Sequence, residues 1–382
     1  MKIKTLTSAL LLSTALLGAN AMANTIPVSA TQITVPAQNI ALTQEWDKIF
    51  PKSTKVEHRK VTFKNRFGIT LVGDLYIPKN APKTASGKLP AITFSGPFGA
   101  VKEQTSGLYA QTMAERGFVT LAFDGSYTGE SSGLPRNMPS PEINSEDFSA
   151  SIDYLSGLEI VDKDKIGIFG ICGWGGFALN AASSDPRAKA VATSTMYDMT
   201  RVVAEGYAIN MHPNAQGTYD RTAPQTADAR YKMRQEMSNV RTSATQNDYA
   251  DLQPANNLRA KDFTADTPLF VKEYSDFYTT KRGFHPRAVN SNPDGSWATT
   301  AMIGMLNMPI LKYTDEMRTP TLIVHGEKAH SRYFSEGAFE AIGSSNKELY
   351  IVPNATHVDL YDNQAGKIPF DKFEQFFKAN LK

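Results

Sequence analysis

Short apolar runs recur along the chain from residue 56 onward, and their spacing predicts strands that alternate with helices. The segments 56–63 (VEHRKVTF) and 70–77 (TLVGDLYI) alternate apolar and polar positions on either side of the turn-forming NRFG, which predicts a β-hairpin. Further strands are predicted from the apolar runs AITFS, FVTLAFD, KIGIFG, AVATST, TPTLIVHG and KELYIVP. Because helix-forming segments near 108–116 and 145–158 fall between such runs, the pattern favours an α/β fold, a mostly parallel sheet with helices on both faces.

The alternation of predicted strands and helices is interrupted in residues 199–317. This segment lacks buried-strand runs and combines polar helix-like stretches, such as DARYKMRQEMSNVR, with aromatic and proline-rich loops. A structureless connection of that length is not expected within a compact domain. We therefore predict a mainly helical cap over 199–317, inserted into a core that comprises residues 55–198 and 318–382. The polar and aperiodic residues 24–54 are predicted to form an N-terminal arm.

The N-terminal residues have the pattern of a secretory signal peptide. Lys2 and Lys4 precede a short apolar run at 9–17, and the small residues AMA at 21–23 provide a cleavage site. The apolar run is shorter than the roughly 20 residues that a membrane-spanning helix needs. We therefore predict that residues 1–23 are removed, and that the mature protein has no membrane span and is periplasmic or secreted.

Charge and composition narrow the classes of partner. The chain carries 40 Lys and Arg residues against 38 Asp and Glu residues. Because Lys2 and Lys4 lie in the predicted signal peptide, the mature protein is formally neutral, which argues against nucleic acid and an anionic membrane surface as partners. Apolar residues make up 41% of the chain, enough for a large core. The sequence has no P-loop and no G-x-G-x-x-G after a strand, so no nucleotide cofactor is predicted.

The only cysteine in the chain, Cys172, lies in the glycine-rich stretch KIGIFGICGWGG at 165–176. A lone cysteine is most often a small buried apolar residue. Here, however, a strand runs directly into a helix, and such a sharp turn places one side chain above the sheet with small neighbours around it. The helix N-terminus is expected to favour the nucleophilic thiolate, and the N–H group of Gly173 points to the place where an oxyanion would form. We therefore predict that Cys172 is a nucleophile.

A histidine follows the last predicted strand and is the candidate general base. His357 lies in the loop NATH after LYIVP, from which its side chain can reach over the sheet edge to a nucleophile. Imidazole is the usual group for moving the proton of such a nucleophile. An ordinary surface histidine is the alternative for any one of the 6 histidines. The position after the last strand favours His357 as the base.

Together, the order of the strands, the elbow GICG, the late histidine and the loop DGSYTGESSG resemble the α/β-hydrolase superfamily. The cysteine in the elbow resembles the dienelactone hydrolase type, and the cap is similar to that of exported hydrolases with Xaa-Pro dipeptidyl-peptidase-like domains. The resemblance covers about residues 55–198 and 318–382. It implies that the segment 95–99 (SGPFG) supplies a second oxyanion donor. Phe98 is the better candidate because Pro97 has no N–H group, and Gly99 is the alternative.

Two positions depart from the pattern of that superfamily. The residue two positions after the nucleophile is usually small, and here it is Trp174. The aspartate that usually stands three residues beyond the glycine of HG is replaced by Ala329. Two carboxylates remain as candidates for orienting the histidine base. Asp198, at the end of AVATSTMYD, is favoured, and Glu327, next to the usual site, is the alternative.

These residues predict an exported hydrolase that cleaves an ester, a lactone or a thioester through a Cys-His-acid triad and an acyl-enzyme thioester. Its partner is a small-molecule acyl substrate. Neither a cofactor nor a metal is predicted, since His330 and Glu327 alone are too few ligands for a stable metal site. Three alternatives remain open: an acyltransferase with the same triad, a catalytically silent binding protein with the hydrolase fold and, from the resemblance alone, a peptidase.

Overall fold

An eight-stranded sheet forms the centre of the protein, for which a computed structural model describes residue 42 and residues 45–381. The predicted signal peptide and most of the predicted N-terminal arm lie outside the described residues. The strands, in chain order, are β1 Val56–Lys64, β2 Thr70–Pro78, β3 Leu89–Ser95, β4 Val119–Phe123, β5 Val161–Ile171, β6 Ala190–Ser194, β7 Leu252–Pro254, β8 Ser296–Ala298, β9 Thr321–Gly326 and β10 Lys347–Val352.

The main sheet has the strand order β1-β2-β4-β3-β5-β6-β9-β10, and β7 and β8 form a separate two-stranded sheet. Strands β1 and β2 pair antiparallel with Val56 opposite Pro78, which confirms the predicted hairpin. Strand β2 pairs antiparallel with β4, whereas the remaining neighbours from β4 to β10 in the main sheet pair parallel. The carboxyl ends of β5, β9 and β10 therefore meet at one edge of the sheet, which is where ligands bind in α/β folds of this kind.

Helices connect most of the parallel strands, which confirms the predicted α/β fold. Within the described residues they are α1 Thr105–Glu115, α2 Pro141–Ser156, α3 Gly173–Ser184, α4 Met199–Glu205, α5 Ala227–Ala244, α6 Leu269–Thr279, α7 Met302–Asn307, α8 Arg332–Ala341 and α9 Phe370–Asn380. Helix α2 begins earlier than the pattern of apolar residues indicates. The hydroxyl of Ser140 accepts a hydrogen bond from the N–H group of Ile143, and Pro141 occupies the first turn, where a missing N–H costs nothing.

Two buried apolar clusters hold the sheet between its helices. Strand β5 alternates between them: Ile166 and Ile168 belong to the cluster that includes α2 and α3, whereas Phe169 and Ile171 belong to the cluster that includes α1 and α9. The ring of Phe169 packs edge-on against Phe373 of α9 at a centroid distance of 4.7 Å. Burial of both faces of this strand over residues 166–171 explains why that part of its sequence, IGIFGI, has no polar side chain.

Between β6 and β9 the chain forms helices α4 to α7 and the small sheet of β7 and β8. This inserted segment contains the predicted cap, 199–317, whose division from the core as a separate domain stays a prediction. Its two strands carry no clear sequence signal, because each has only three residues and β7 is exposed. Within the part of the chain that the structure describes, no helix is both long and apolar enough to cross a membrane.

Candidate active site

Cys172 occupies a sharp turn between β5 and α3. Its backbone angles, φ 55° and ψ −128°, lie in a region that residues with a side chain rarely adopt. Space around the turn exists only because glycines flank it. A Cβ atom on Gly170 would overlap the carbonyl oxygen of Trp174, and one on Gly175 would overlap the Cβ atom of Met196. This strained turn is the geometry of a nucleophile elbow, and strain of this kind concentrates at functional sites.

Trp174, the bulky residue in the elbow, does not prevent the turn from forming. Its indole ring packs edge-on against Phe123, Phe148 and Phe177 at centroid distances of 5.7, 5.7 and 5.5 Å, within the core below the sheet edge. Gly125 provides the necessary room, because a Cβ atom there would overlap the indole ring. The glycine in the loop after β4 thus accommodates the departure at position 174.

Two backbone N–H groups interact with the thiol of Cys172. They belong to Phe98 and Gly173, the two oxyanion donors that the sequence predicts, and hydrogen bonding to them lowers the pKa of the thiol. A Cβ atom on Gly173 would lie 2.7 Å from the Cβ atom of Phe98, so glycine is needed for the two donors to converge. Two residues of the inserted segment contact the loop that contains Phe98. The Asn290 side chain donates a hydrogen bond to the carbonyl oxygen of Phe98 at 2.6 Å, and the Trp297 ring stacks on the Phe98 ring at 4.8 Å.

The thiol is neutral at rest, contrary to the expectation from the helix dipole. Burial raises the pKa of Cys172, and hydrogen bonding with the Tyr361 hydroxyl and with the N–H groups of Phe98 and Gly173 lowers it only in part. The reason is physical: the side chain is almost inaccessible to water, so the cost of desolvating a thiolate exceeds the gain from the helix N-terminus. A neutral thiol needs a base to become a nucleophile.

His357 follows β10, and the hydroxyl of Tyr361 connects one of its ring nitrogens with the thiol of Cys172. Its Nε2 atom lies 3.0 Å from the hydroxyl of Tyr361. The same hydroxyl hydrogen bonds to Cys172. Sequence reasoning missed Tyr361, although its spacing of four residues from His357 in a helical turn was a usable signal. The structure therefore joins the predicted nucleophile and the predicted base through an additional hydroxyl group.

The other ring nitrogen of His357 meets a second chain of hydrogen bonds. Its Nδ1 atom lies 2.6 Å from the Ser331 hydroxyl, which lies 2.9 Å from Nε2 of His325. Nδ1 of His325 lies 2.6 Å from the Ser335 hydroxyl. Burial lowers the pKa of His325 to about 3 and lowers that of His357 well below its ordinary value, with nearby His330 lowering the latter further. Both imidazoles are therefore neutral near pH 7.

Neither predicted carboxylate contacts His357. Oδ1 of Asp198 caps helix α4, where it accepts hydrogen bonds from the N–H groups of Thr200 and Arg201 at 3.0 and 3.1 Å. Oε2 of Glu327 accepts a hydrogen bond from the N–H group of Asn354 at 2.8 Å. Asp198 lies directly before a helix, and its side chain satisfies the local backbone donors instead of reaching across the sheet.

We expect Asp198→Asn to retain both stability and activity, because asparagine caps helices as well as aspartate does. Asp198→Ala should lower the free energy of unfolding by about 1 kcal/mol through loss of the cap. Urea unfolding and steady-state kinetics on the two variants test this. If Asp198 were instead the acid of a triad, Asp198→Asn would reduce kcat by about 10⁴-fold without unfolding the protein.

Cys172 lines a cavity of about 370 Å³, a volume typical of small-molecule sites. Eighteen residues line the cavity, and none of them carries a charged side chain. Fourteen of the eighteen lie in the inserted segment 199–317. The aromatic lining residues are Phe98, Tyr197, Tyr207, Phe270, Tyr274, Tyr278 and Tyr361. The cavity thus suits an uncharged, largely apolar group attached to a carbonyl above the thiol.

Comparison with known proteins identifies close and distant relatives. A family model described as X-Pro dipeptidyl-peptidase (S15 family) matches residues 68–359. The uncharacterized protein PA2218 of Pseudomonas aeruginosa is 52% identical over 362 residues, which cover 94% of this chain and 90% of that protein. Its crystal structure superposes with a TM-score of 0.80 over 90% of this chain and all of that chain.

More distant similarities extend to fungal enzymes. The acyltransferase drtE of Aspergillus calidoustus is 33% identical over 140 residues, 37% of this chain and 43% of that protein. A thiohydrolase of Eupenicillium brefeldianum is 32% identical over 131 residues, 34% of this chain and 40% of that protein. The alpha/beta hydrolase GrgF of a Penicillium species has a similar fold, with a TM-score of 0.62 at 18% identity, over 85% of this chain and 99% of that chain.

Proposed function

The chain belongs to the S15 family of X-Pro dipeptidyl-peptidases within the α/β-hydrolase superfamily, and we propose that it hydrolyses an ester, a lactone or a thioester through Cys172. The observation that carries the proposal is the strained backbone of Cys172, which lines the cavity and whose thiol interacts with the N–H groups of Phe98 and Gly173. A merely structural cysteine needs neither the strain nor the two donors. Export of the enzyme follows from the predicted signal peptide and stays a prediction.

The first half of the reaction forms a thioester. The thiol proton moves through the Tyr361 hydroxyl to Nε2 of His357 while the sulfur bonds to the carbonyl carbon of the substrate. The carbonyl oxygen becomes an oxyanion, and it takes over the two N–H donors that face the sulfur in the free protein. The intermediate then collapses, the bond to the leaving group breaks, and the departing alkoxide or thiolate takes the proton from His357.

The second half of the reaction releases the acid. A water molecule gives a proton to His357 and attacks the thioester carbon, and the bond between carbon and sulfur breaks. The sulfur of Cys172 regains its proton from His357, and the product leaves as a carboxylic acid. Because the thiol and the imidazole are both neutral at rest, each half requires proton transfer in its transition state rather than a preformed ion pair.

The cavity argues against peptidase activity despite the family description. A dipeptidyl-peptidase must bind the free ammonium group of its substrate, which calls for a carboxylate or an equivalent acceptor of charge. None of the eighteen residues that line the cavity carries such a group. Esters and thioesters also suit a sulfur nucleophile better than amides do. In the tetrahedral intermediate of an amide, the thiolate is a better leaving group than the basic amine, so the intermediate returns to the substrate unless the amine is protonated.

An acyltransferase is the second candidate. The hydroxyl and amide side chains around the cavity could hold an alcohol or amine acceptor as well as water, and the distant relative drtE is named as an acyltransferase. The machinery of Cys172 and His357 would be the same, and an alcohol or amine would replace water in the second half. The two candidates differ in the product: added alcohol diverts the acyl group to a new ester in a transferase and leaves the yield of free acid unchanged in a hydrolase.

A small panel of substrates tests the proposal. We expect turnover of the N-acetylcysteamine thioester of phenylacetic acid, and at least about 100-fold lower kcat/KM for its para-carboxylate analogue, because an uncompensated charge would have to be buried in the cavity. Gly-Pro p-nitroanilide should not be cleaved measurably. Preference for the p-nitroanilide, or equal rates for the neutral and charged thioesters, would contradict the assignment of an uncharged acyl substrate.

A further inference from the structure

We propose that Ser331 and His325 replace the missing triad carboxylate, as positioning residues that hold His357 in the tautomer protonated on Nδ1. The inference rests on the proposed function, since it assigns His357 as the base. It concerns two residues that the sequence pattern does not mark, and it explains how a histidine can serve as base in a site where no carboxylate contacts it.

The local fold brings the three residues together at one edge of the sheet. His325 is the penultimate residue of β9, and His357 lies in the loop after the neighbouring parallel strand β10. Ser331 immediately precedes helix α8, and Ser335 lies four residues further along, on the same side of the helix. The two hydroxyls therefore flank the His325 ring, and the first of them also reaches His357.

Ser331 does not perform the usual task of a serine at its position. A serine that precedes a helix commonly accepts a hydrogen bond from the N–H groups of the first turn, which stabilises the helix by about 1 kcal/mol. The Ser331 side chain makes no such bond. Its hydroxyl instead lies between the two imidazole rings, 2.6 Å from Nδ1 of His357 and 2.9 Å from Nε2 of His325. Because Ser331 gives up the stabilisation of a capping bond, we infer that its bond to His357 serves to position that ring.

One assignment of protons along the chain leaves His357 ready to act as a base. The Nδ1–H group of His357 donates to Ser331, the Ser331 hydroxyl donates to Nε2 of His325, and the Nδ1–H group of His325 donates to Ser335. Nε2 of His357 then presents its lone pair to the Tyr361 hydroxyl and, through it, to the thiol. In the opposite assignment Nε2 would carry a proton and could not accept one, so the direction of this chain decides whether the base works.

The environment makes this control of the tautomer important. Ser331, Ser335 and His325 are fully buried, and His357 is only 1% exposed, so water cannot supply the missing hydrogen bonds. The titratable groups that face His357 are the imidazoles of His325 and His330 and the hydroxyls of Tyr361, Tyr197 and Tyr274. None of these groups is anionic at neutral pH, because burial raises the pKa of each of the three tyrosines and lowers that of both histidines.

The tautomer of His357 can be measured directly in the resting protein. Protein labelled with ¹⁵N in its histidines is examined by NMR, and the signals of His357 are assigned by their loss in His357→Gln. We expect a protonated Nδ1 and an unprotonated Nε2 in the wild type. A protonated Nε2 in the wild type would overturn the inference, and this readout does not depend on any activity.

Variants then separate positioning from simple packing. We expect Ser331→Ala to lower kcat by about 10- to 100-fold with little change in KM, as for other residues that orient a reactive histidine, and to change the His357 tautomer signals. Ser331→Thr keeps the hydroxyl and should restore the signals and most of the kcat. Ser151→Ala, which removes a buried hydroxyl from α2 that does not line the cavity, is the matched control and should leave both unchanged.

The outcomes also separate this inference from the proposed function. Unchanged kcat and unchanged tautomer signals in Ser331→Ala would overturn the positioning role while leaving Cys172 chemistry intact. If no tested ester or thioester is turned over in a Cys172-dependent manner, the proposed function fails, and the wild-type NMR spectrum still decides whether Ser331 and His325 orient His357.

Discussion

Replacement of Cys172 by alanine is expected to reduce kcat/KM for thioester hydrolysis by at least about 10⁴-fold. In the proposed mechanism the sulfur of Cys172 forms the bond to the carbonyl carbon, beside the N–H groups of Phe98 and Gly173. The alanine Cβ atom keeps the shape of the elbow, so the fold should survive with a loss of no more than about 1 kcal/mol in the free energy of unfolding. Steady-state kinetics and urea unfolding on the same preparation measure both quantities.

Cys172→Ser provides the comparison for that variant. The serine hydroxyl has nearly the same shape but a much higher pKa than a thiol, and the neutral His357 must then remove a less acidic proton. We expect the kcat/KM of Cys172→Ser for thioester hydrolysis to fall well below that of the wild type and to remain above that of Cys172→Ala. Turnover by Cys172→Ala at more than a few per cent of the wild-type rate would mean that another group attacks the substrate.

Replacement of His357 by alanine is expected to reduce kcat/KM by about 10²- to 10⁴-fold at pH 7, the usual contribution of a general base. The effect should also depend on pH in a defined direction. Burial raises the pKa of the Cys172 thiol, so the reactive thiolate is a small fraction at pH 7 and grows about tenfold with each pH unit below that pKa. The residual activity of His357→Ala should therefore rise with pH, whereas the wild type, which has its own base, should change much less.

His212→Ala is the control for the histidine variant, since His212 is exposed in the inserted segment. It should retain the wild-type rate and pH profile.

Tyr361→Phe addresses the path of the proton and should lower kcat by removing the hydroxyl that contacts both Cys172 and His357. Equal loss of activity in His357→Ala at pH 7 and pH 9 would contradict the role of His357 as the base that activates a neutral thiol.

The elements of the site that rest on local sequence could be predicted. The elbow at Cys172 and the donor at Gly173 follow from a strand that enters a helix through glycines. Phe98 is implied by the resemblance to the α/β-hydrolase superfamily, within which Pro97 is excluded because it lacks an N–H group. The hairpin of β1 and β2 follows from strict alternation around a turn. Each of these features depends on residues that are close in the chain, so the pattern of residue types was sufficient.

The features that depend on burial and on distant contacts could not be predicted. The helix dipole favours a thiolate, but only the packed structure reveals that desolvation outweighs it at Cys172. Asp198 follows a strand in the chain as a triad acid would, yet its side chain accepts hydrogen bonds from the first N–H groups of α4. Ser331 and His325 join His357 from different segments, and nothing in their spacing along the chain marks them as partners of a base.

The family gives the fold and the hydrolase class, whereas the lining of the cavity narrows the substrates that we propose. Members of one fold family carry out different reactions when the segments above the sheet change. In this protein the inserted segment supplies fourteen of the eighteen residues around the cavity and no charged side chain among them. We therefore expect the inserted segment to determine which substrate binds, and substitutions there should change specificity without altering Cys172 or His357.

The central claim, that Cys172 carries the acyl group, is tested most directly by trapping the intermediate. The wild type and Cys172→Ala are mixed rapidly with a p-nitrophenyl ester of phenylacetic acid, quenched in acid and analysed by intact and peptide mass spectrometry. The account predicts one added phenylacetyl group in the wild type, located on the peptide that contains Cys172, and none in Cys172→Ala. An acyl group on another residue, or an unlabelled wild type that nevertheless shows a burst of p-nitrophenol, would contradict it.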